Sequence, residues 1–315
     1  MDQESKQGVV LEGTGGGWQV WTVGGEIFNA SLRGRLKQEG AIKLAIGDDV
    51  SIARSGSNDG WAIDAIHPRR STLVHRDPRS RFSSRVVVAN IDQVILVFAF
   101  AKPEPHARMI DRFLVIAEAN GIAARLVMNK CELVDERAAQ AFVAPFMAAG
   151  YPVHLTSVNN GAGLEAMRGV LAMGRSALSG PSGVGKSSLL SALYPGTHLR
   201  VGEISASVNK GRHTTVGAKL IPLPDGGFVA DTPGLREVGL WGIDIDELAH
   251  CFPEFRPSLG NCRFQDCAHH KDTGCAVLAA VAAGSVSAER HASYVMLGAE
   301  LKESMPVSRK PGGRR

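Results

Sequence analysis

GPSGVGKS, residues Gly180 to Ser187, is the stretch from which the rest of the chain is read. It matches G-x-x-x-x-G-K-[ST] in full. It follows the strand-like Ser176–Leu178 and opens the helical run SSLLSAL, the strand–loop–helix setting that the motif requires. The spacing has a physical reason: glycines let the backbone wrap closely around an anion. The loop formed by Gly180, Pro181, Ser182, Gly183, Val184 and Gly185 can therefore enclose phosphate groups together with the helix start at Lys186, Ser187 and Ser188. Lys186 is expected to neutralise the β and γ phosphates, and the Ser187 hydroxyl to hold magnesium.

Outward from this loop, three segments bear on which nucleotide is bound. DTPG, Asp231 to Gly234, follows the apolar GFVA. A carboxylate at a strand end can fix magnesium through water, and the Gly234 N–H can reach a γ-phosphate. NKCE, Asn129 to Glu132, ends the run ARLVM. An acidic side chain there accepts hydrogen bonds from the ring and exocyclic N–H groups of guanine, Asn129 reads the other edge, and the Lys130 stem packs on the base. Adenine lacks the exocyclic amine at that position, so the acid selects guanine. Glutamate stands at 132 where aspartate is usual, and the extra methylene is expected to weaken base recognition or shift its geometry. Thr156–Ser157–Val158 also ends a strand, and a backbone N–H at Ser157 is placed to touch the guanine oxygen.

The surrounding pattern predicts an α/β domain over residues 86–242. Asp92–Phe100 is a continuous apolar run, as expected of a parallel strand buried on both faces. Helices are expected near 107–120, 134–149 and 163–173, with strands at Ala124–Met128, Pro152–Thr156 and Ser176–Leu178 between them, a doubly wound layout. A β-rich stretch follows from Val201 to Ala230, turning at Pro224–Gly227. Residues 1–70 read differently: five short runs (GVVLEG, WQVWTV, IFNASLRG, IGDDVSIA, GWAIDAI) broken by turns suggest an OB-fold β-barrel that binds RNA. Residues 71–85 are expected to form an Arg-rich linker: from 67 to 85 the chain carries six arginines against Asp77, a composition suited to phosphate. Residues 243–315 read as a small, mostly helical unit with a basic tail (Arg309, Lys310, Arg314, Arg315).

That last unit holds four of the five cysteines. Cys262, Cys267, His269 and Cys275 have the form C-x4-C-x-H-x5-C, a soft donor set suited to a closed, structural, tetrahedral zinc site, with Cys251 and His270 as alternates. The 315-residue chain is 44% hydrophobic and 21% charged with a formal net charge of +4, ordinary values for a globular protein. Its longest strongly apolar runs, 94–101 and 276–283, are eight residues each. A membrane span needs about 20, so none is expected. The polar start MDQESKQ carries no secretory pattern, and a cytoplasmic monomer is expected.

The order of the motifs is distinctive. The base-reading segments precede the phosphate loop, whereas ordinary phosphate-loop GTPases place them after it; one site can still form if the chain is rejoined differently, because domain termini lie close together. With the barrel before and the Cys/His cluster after, the chain over about residues 8–300 resembles the circularly permuted, ribosome-associated GTPases of the RsgA (YjeQ/EngC) family. That resemblance implies a GTPase that assists late maturation of the small ribosomal subunit, with the subunit and its rRNA as partner and stimulator. It implies zinc ligation by Cys262, Cys267, His269 and Cys275, although TGCAV stands here where the family often has PGCAV. It also implies that GRHTT, Gly211 to Thr215, is the switch segment, in which Thr214 or Thr215 binds magnesium. Leu235 follows DTPG where many GTPases carry a glutamine that orients water. Intrinsic hydrolysis is therefore expected to be slow, with His213 as the candidate catalytic group once a partner orders its loop. Two other classes fit parts of the pattern. An RNA-associated ATPase is opposed by NKCE and separable by nucleotide competition. A non-hydrolysing nucleotide-dependent RNA-binding module is favoured by Leu235 and separable by subunit-stimulated phosphate release.

Overall fold

The computed structural model describes residues 5–37, 43–55, 60–76, 84–196, 219–231 and 243–304. Five strands, β1 (Ser5–Thr14), β2 (Gly17–Thr22), β3 (Ile27–Leu32), β4 (Asp49–Ser55) and β5 (Gly60–Ile66), close into a barrel in the order β1-β2-β3-β5-β4. All neighbours are antiparallel except β3 and β5, which run parallel. This is the OB-fold order. Alternation fills the barrel: Val10, Val20, Ala30, Val50, Ile52 and Ile63 point inward into one apolar cluster. The opposite face of β1 is apolar as well, and Val9 and Leu11 leave the barrel to join the core of the next domain.

The stretch expected as a linker at 71–85 is paired at both ends. β6 (Thr72–Arg76) and β7 (Ser84–Ala89) form an antiparallel ribbon. The stretch is rich in arginine, but Leu73 and Val88 give the ribbon an apolar face that packs into the core shared by barrel and α/β domain. Arg175 fastens the same joint. Its guanidinium donates to the Gly47 carbonyl at 2.8 Å and pairs with Asp49. Gly47 is required there: its φ is +83°, and a Cβ would lie 2.1 Å from the Ala89 oxygen.

A six-stranded sheet follows, ordered β10 (Val153–Leu155), β9 (Ala123–Asn129), β8 (Gln93–Ala99), β11 (Arg175–Ser179), β13 (Phe228–Asp231) and β12 (Lys219–Pro222). All neighbours are parallel except β12, which pairs antiparallel with β13 across the turn expected at 224–227. Helices α1 (Ala107–Ala119), α2 (Glu136–Ala148), α3 (Leu164–Ala172) and α4 (Lys186–Leu193) connect the strands. β8 and β11 are buried along their whole length; the apolar run of β8 predicts this, whereas β11 buries Arg175, Ser176 and Ser179 among its five residues. One core packs beneath α1 and α2, a second beneath α3 and α4.

The C-terminal unit consists of two 3-10 segments, Ile245–Cys251 and Pro253–Ser258, with α5 (Ala276–Ala282) and α6 (Ala288–Ser304). It docks on α1, whose Val115 and Ile116 join its core. At this seam Arg290 of α6 is buried. It donates to Glu254 at 2.5 and 3.0 Å and to Asp111 of α1 at 2.5 Å. The rings of Phe146, Tyr151 and Phe252 surround its guanidinium at 5.0–5.8 Å. Burial opposes the charge, but the hydrogen bonds to Glu254 and the field of Asp111 and Glu254 outweigh it and raise the Arg290 pKa. Burial also raises the Asp111 carboxyl above its ordinary value, despite the opposing pull of Arg290.

Candidate nucleotide site and metal centre

Parallel pairing sets the C-terminal ends of β8, β9, β10, β11 and β13 along one edge of the sheet, where open α/β folds bind ligands. Asn129 ends β9, Thr156 and Ser157 follow β10, Gly180 follows β11 and Asp231 ends β13. Segments scattered from 129 to 231 therefore meet at one edge.

The loop from Gly180 to Gly185 has the backbone that the motif predicts. Gly180, Gly183 and Gly185 have φ of +137°, +82° and +94°, conformations that side chains resist. A Cβ at Gly180 would lie 2.0 Å from the Val97 oxygen. Val184 and Lys186 are buried, whereas Ser182, Gly183, Ser187 and Ser188 face outward. The Lys186 ammonium donates to the Gly180 and Pro181 carbonyls at 2.7 and 2.5 Å, closing the loop over its own backbone.

The base-reading corner is bonded directly to this loop. The Asn129 amide, 2% exposed, donates to the Val184 carbonyl at 2.9 Å and accepts from the buried Thr156 hydroxyl at 3.2 Å. Lys130 adopts a left-handed conformation (φ +59°), and its ammonium donates to the Gly183 carbonyl at 2.9 Å and to that of Lys102. The permuted motifs thus form one continuous cradle. Glu132 lies at its rim, where its Oε1 accepts from the Asn159 amide at 2.6 Å. The Ser157 hydroxyl, with smaller help from Asn159 and the Lys130 charge, holds the Glu132 carboxyl below its ordinary range. Two adjacent asparagines after a strand carry no sequence signal of a contact with Glu132. The Thr156 hydroxyl is a buried brace for Asn129, and the Ser157 N–H, expected on the guanine oxygen, instead donates to the Ala162 carbonyl at 3.0 Å. The expected His213, Thr214, Thr215 and Gly234, and also Leu235, lie outside the described residues.

The metal cluster assembles at the start of α5. The ligand atoms of Cys262, Cys267, His269 and Cys275 all lie within 4.8 Å of one another. Cys262 Sγ is 3.9 Å from Cys275 Sγ, and both sulfurs are 3.5 Å from His269 Nδ1. A tetrahedron with Zn–S of about 2.3 Å and Zn–N of about 2.0 Å has edges of roughly 3.8 and 3.5 Å, so these residues fit zinc. Cys251 and His270 are not part of the cluster. Backbone N–H groups of Ala276 and Leu278 donate to the Cys262 and Cys275 sulfurs. Behind the imidazole, the His291 ring donates to the His269 carbonyl at 2.7 Å and the Tyr294 hydroxyl to that of Ala268 at 2.9 Å, the kind of outer support that fixes ligand orientation. Gly274, at φ +74°, brings the last ligand close to Arg263; a Cβ there would meet Arg263 Cβ at 2.9 Å. The threonine before it, where the family often has proline, leaves this turn intact.

Fold and site together define a phosphate-loop nucleotide-binding protein whose GTPase segments run in permuted order between a barrel and a Cys/His unit. The RsgA GTPase family profile matches residues 66–241. The chain is 61% identical to the small ribosomal subunit biogenesis GTPase RsgA of Gemmatimonas aurantiaca, over 94% of this chain and 98% of that one. Among solved structures, YjeQ from Thermotoga maritima superposes with a TM-score of 0.79 at 32% identity, covering 95% and 99% of the two chains. YloQ, described as a circularly permuted GTPase, superposes at 0.76 with 27% identity over 96% and 97%. The chain belongs to the RsgA GTPase family.

Proposed function

We propose that this protein binds GTP in the cradle between Asn129 and Ser187 and hydrolyses it during late maturation of the small ribosomal subunit. The observation that carries the reading is the Asn129–Val184 hydrogen bond, which joins the Asn129–Glu132 segment directly to the 180–185 loop. Gly180 to Ser188 enclose the phosphates. Lys186 exchanges its loop carbonyls for the β and γ oxygens, and Asn129, Lys130 and Glu132 take the base. Hard oxygen donors suit magnesium: Ser187 on the first turn of α4 and Asp231 at the end of the adjacent β13 are the residues to hold it, with Thr214 or Thr215. Magnesium supplies charge neutralisation of the phosphates. His213 orients the attacking water in the subunit-bound state, in place of the glutamine replaced by Leu235. The Gly234 N–H reaches the γ-phosphate.

The barrel, the arginines of 69–85 and the zinc unit contact rRNA in the GTP state, and hydrolysis favours release because the two nucleotide states differ in affinity for the particle. The protein acts as a monomer in the cytoplasm; among the described residues no helix is long and apolar enough to cross a membrane. The deciding experiment measures GTP hydrolysis with and without purified small subunits. Stimulation by small but not large subunits is expected, and turnover indifferent to the particle would refute the reading.

A further inference from the structure

The acidic residue of the base-reading corner is a glutamate, one methylene longer than the aspartate usual there, and the structure contains a device that acts on that extra length. Asn159 stands on the loop after β10, and its Nδ2 donates to Glu132 Oε1 at 2.6 Å. The loop is held from several directions. The Asn160 N–H donates to the Ser157 hydroxyl at 3.2 Å, the Ser157 N–H to the Ala162 carbonyl at 3.0 Å, and the Gly161 N–H to the Ser157 carbonyl at 3.0 Å. Ala162 N–H donates to Asn160 Oδ1 at 3.0 Å. Gly163, at φ +69°, closes it so tightly that a Cβ would lie 2.1 Å from the Leu155 oxygen. Asn159 is therefore presented from a fixed frame.

A glutamate has one more rotatable bond than an aspartate and loses more freedom when its carboxylate is aligned on a ligand. A carboxylate oxygen has two lone-pair directions, so Oε1 can keep the Asn159 donor and still accept from a base. We propose that Asn159 is a positioning residue for guanine selectivity: it holds the Glu132 carboxylate in the orientation that receives the ring N–H and 2-amino donors, and so makes a glutamate serve at this corner. The proposal rests on the guanine-nucleotide reading of the cradle and adds a residue to it.

The test uses the full-length protein and calorimetric titration with GDP, with inosine diphosphate, which lacks the 2-amino group, and with ADP. The variants are Asn159→Ala, Glu132→Asp and the pair. A hydrogen bond to a charged group at an exposed site corresponds to about a tenfold change in affinity. Asn159→Ala should weaken GDP about tenfold and inosine diphosphate much less, so that the GDP preference shrinks while the melting temperature holds. In Glu132→Asp the carboxylate withdraws by about one C–C bond, ~1.5 Å, beyond reach of the amide; adding Asn159→Ala should then change GDP affinity less than twofold. An unchanged GDP preference in Asn159→Ala, equal loss of both nucleotides, or the same penalty in the Glu132→Asp background would each overturn the proposal. ADP binding as tightly as GDP to the parent protein would overturn the guanine site itself, a failure visible before any variant is made.

Discussion

Arg290→Met offers the sharpest test of how the C-terminal unit is held. The side chain of Arg290 is 2% exposed, and its partners Asp111 and Glu254 are 1% and 6% exposed. Methionine fills most of the volume and keeps contact with Phe146, Tyr151 and Phe252, so packing loss is small. What remains is two buried carboxyls without their cation. Breaking a buried pair in this way costs about 3–5 kcal/mol, a drop in urea midpoint on the order of 2 M for the unit concerned.

The effect has a defined pH dependence. Burial already raises Asp111, with Arg290 pulling the other way; without that opposing charge it rises further. A carboxyl with a folded pKa above its unfolded value binds more protons in the native state, so its unfavourable contribution is fully present above the folded pKa. That contribution fades as pH falls toward the ordinary carboxylate range. The variant should therefore be most destabilised near neutrality and recover part of the loss near pH 5. Helical circular dichroism in urea at both pH values, with zinc release to a colorimetric chelator, reads this directly. A parental urea midpoint and release rate, or a penalty that grows on acidification, would refute the reasoning.

The metal cluster makes a related prediction. Cys267→Ser, or zinc removal by a strong chelator, should unfold the unit around 262–275 while guanine nucleotide affinity stays within about twofold, because zinc supplies much of a small unit's folding free energy; a zinc-free unit with parental helical signal would contradict it. Asn129→Ala orphans the buried Thr156 hydroxyl and the Val184 carbonyl, and should lower stability by about 2–4 kcal/mol. Adding Thr156→Val should return part of that loss, and strict additivity in a denaturation cycle would show that the brace is inert. Gly185→Ala forces a Cβ to 2.5 Å from the Asn129 amide at φ +94° and should weaken GDP binding at least tenfold by titration, since cradle and base corner can no longer close together. His213→Ala should bind GTP normally yet lose subunit-stimulated turnover, and parental stimulated rates would remove His213 from the mechanism.

Particular elements show how much could be read in advance. The run from Asp92 to Phe100 announced β8 at 93–99 because a strand buried on both faces is apolar along its length, here from Val94 onward, with Gln93 at its start hydrogen-bonded to the Val170 carbonyl and Ser176. The five barrel strands were legible through alternation, whereas their closure lies in β1 pairing with both β2 and β4. The arginines of 69–85 hid a paired ribbon, since Leu73 and Val88 are too few to register as a period. Asn159 left no signal, because a polar turn residue that reaches another loop looks like any other turn residue.

The chain's own order of residues determined what depends on neighbours within a few positions: the glycine-framed phosphate loop, the alternation of strands and helices, the barrel and the spacing of three thiols and an imidazole. Tertiary structure decided the rest: Asn129 against Val184 across 55 positions, and Arg290 against Asp111 across 179. The reason is physical. Backbone geometry and periodic burial leave a local imprint on sequence, whereas a hydrogen bond between distant side chains exists only where the packing of whole elements brings them together.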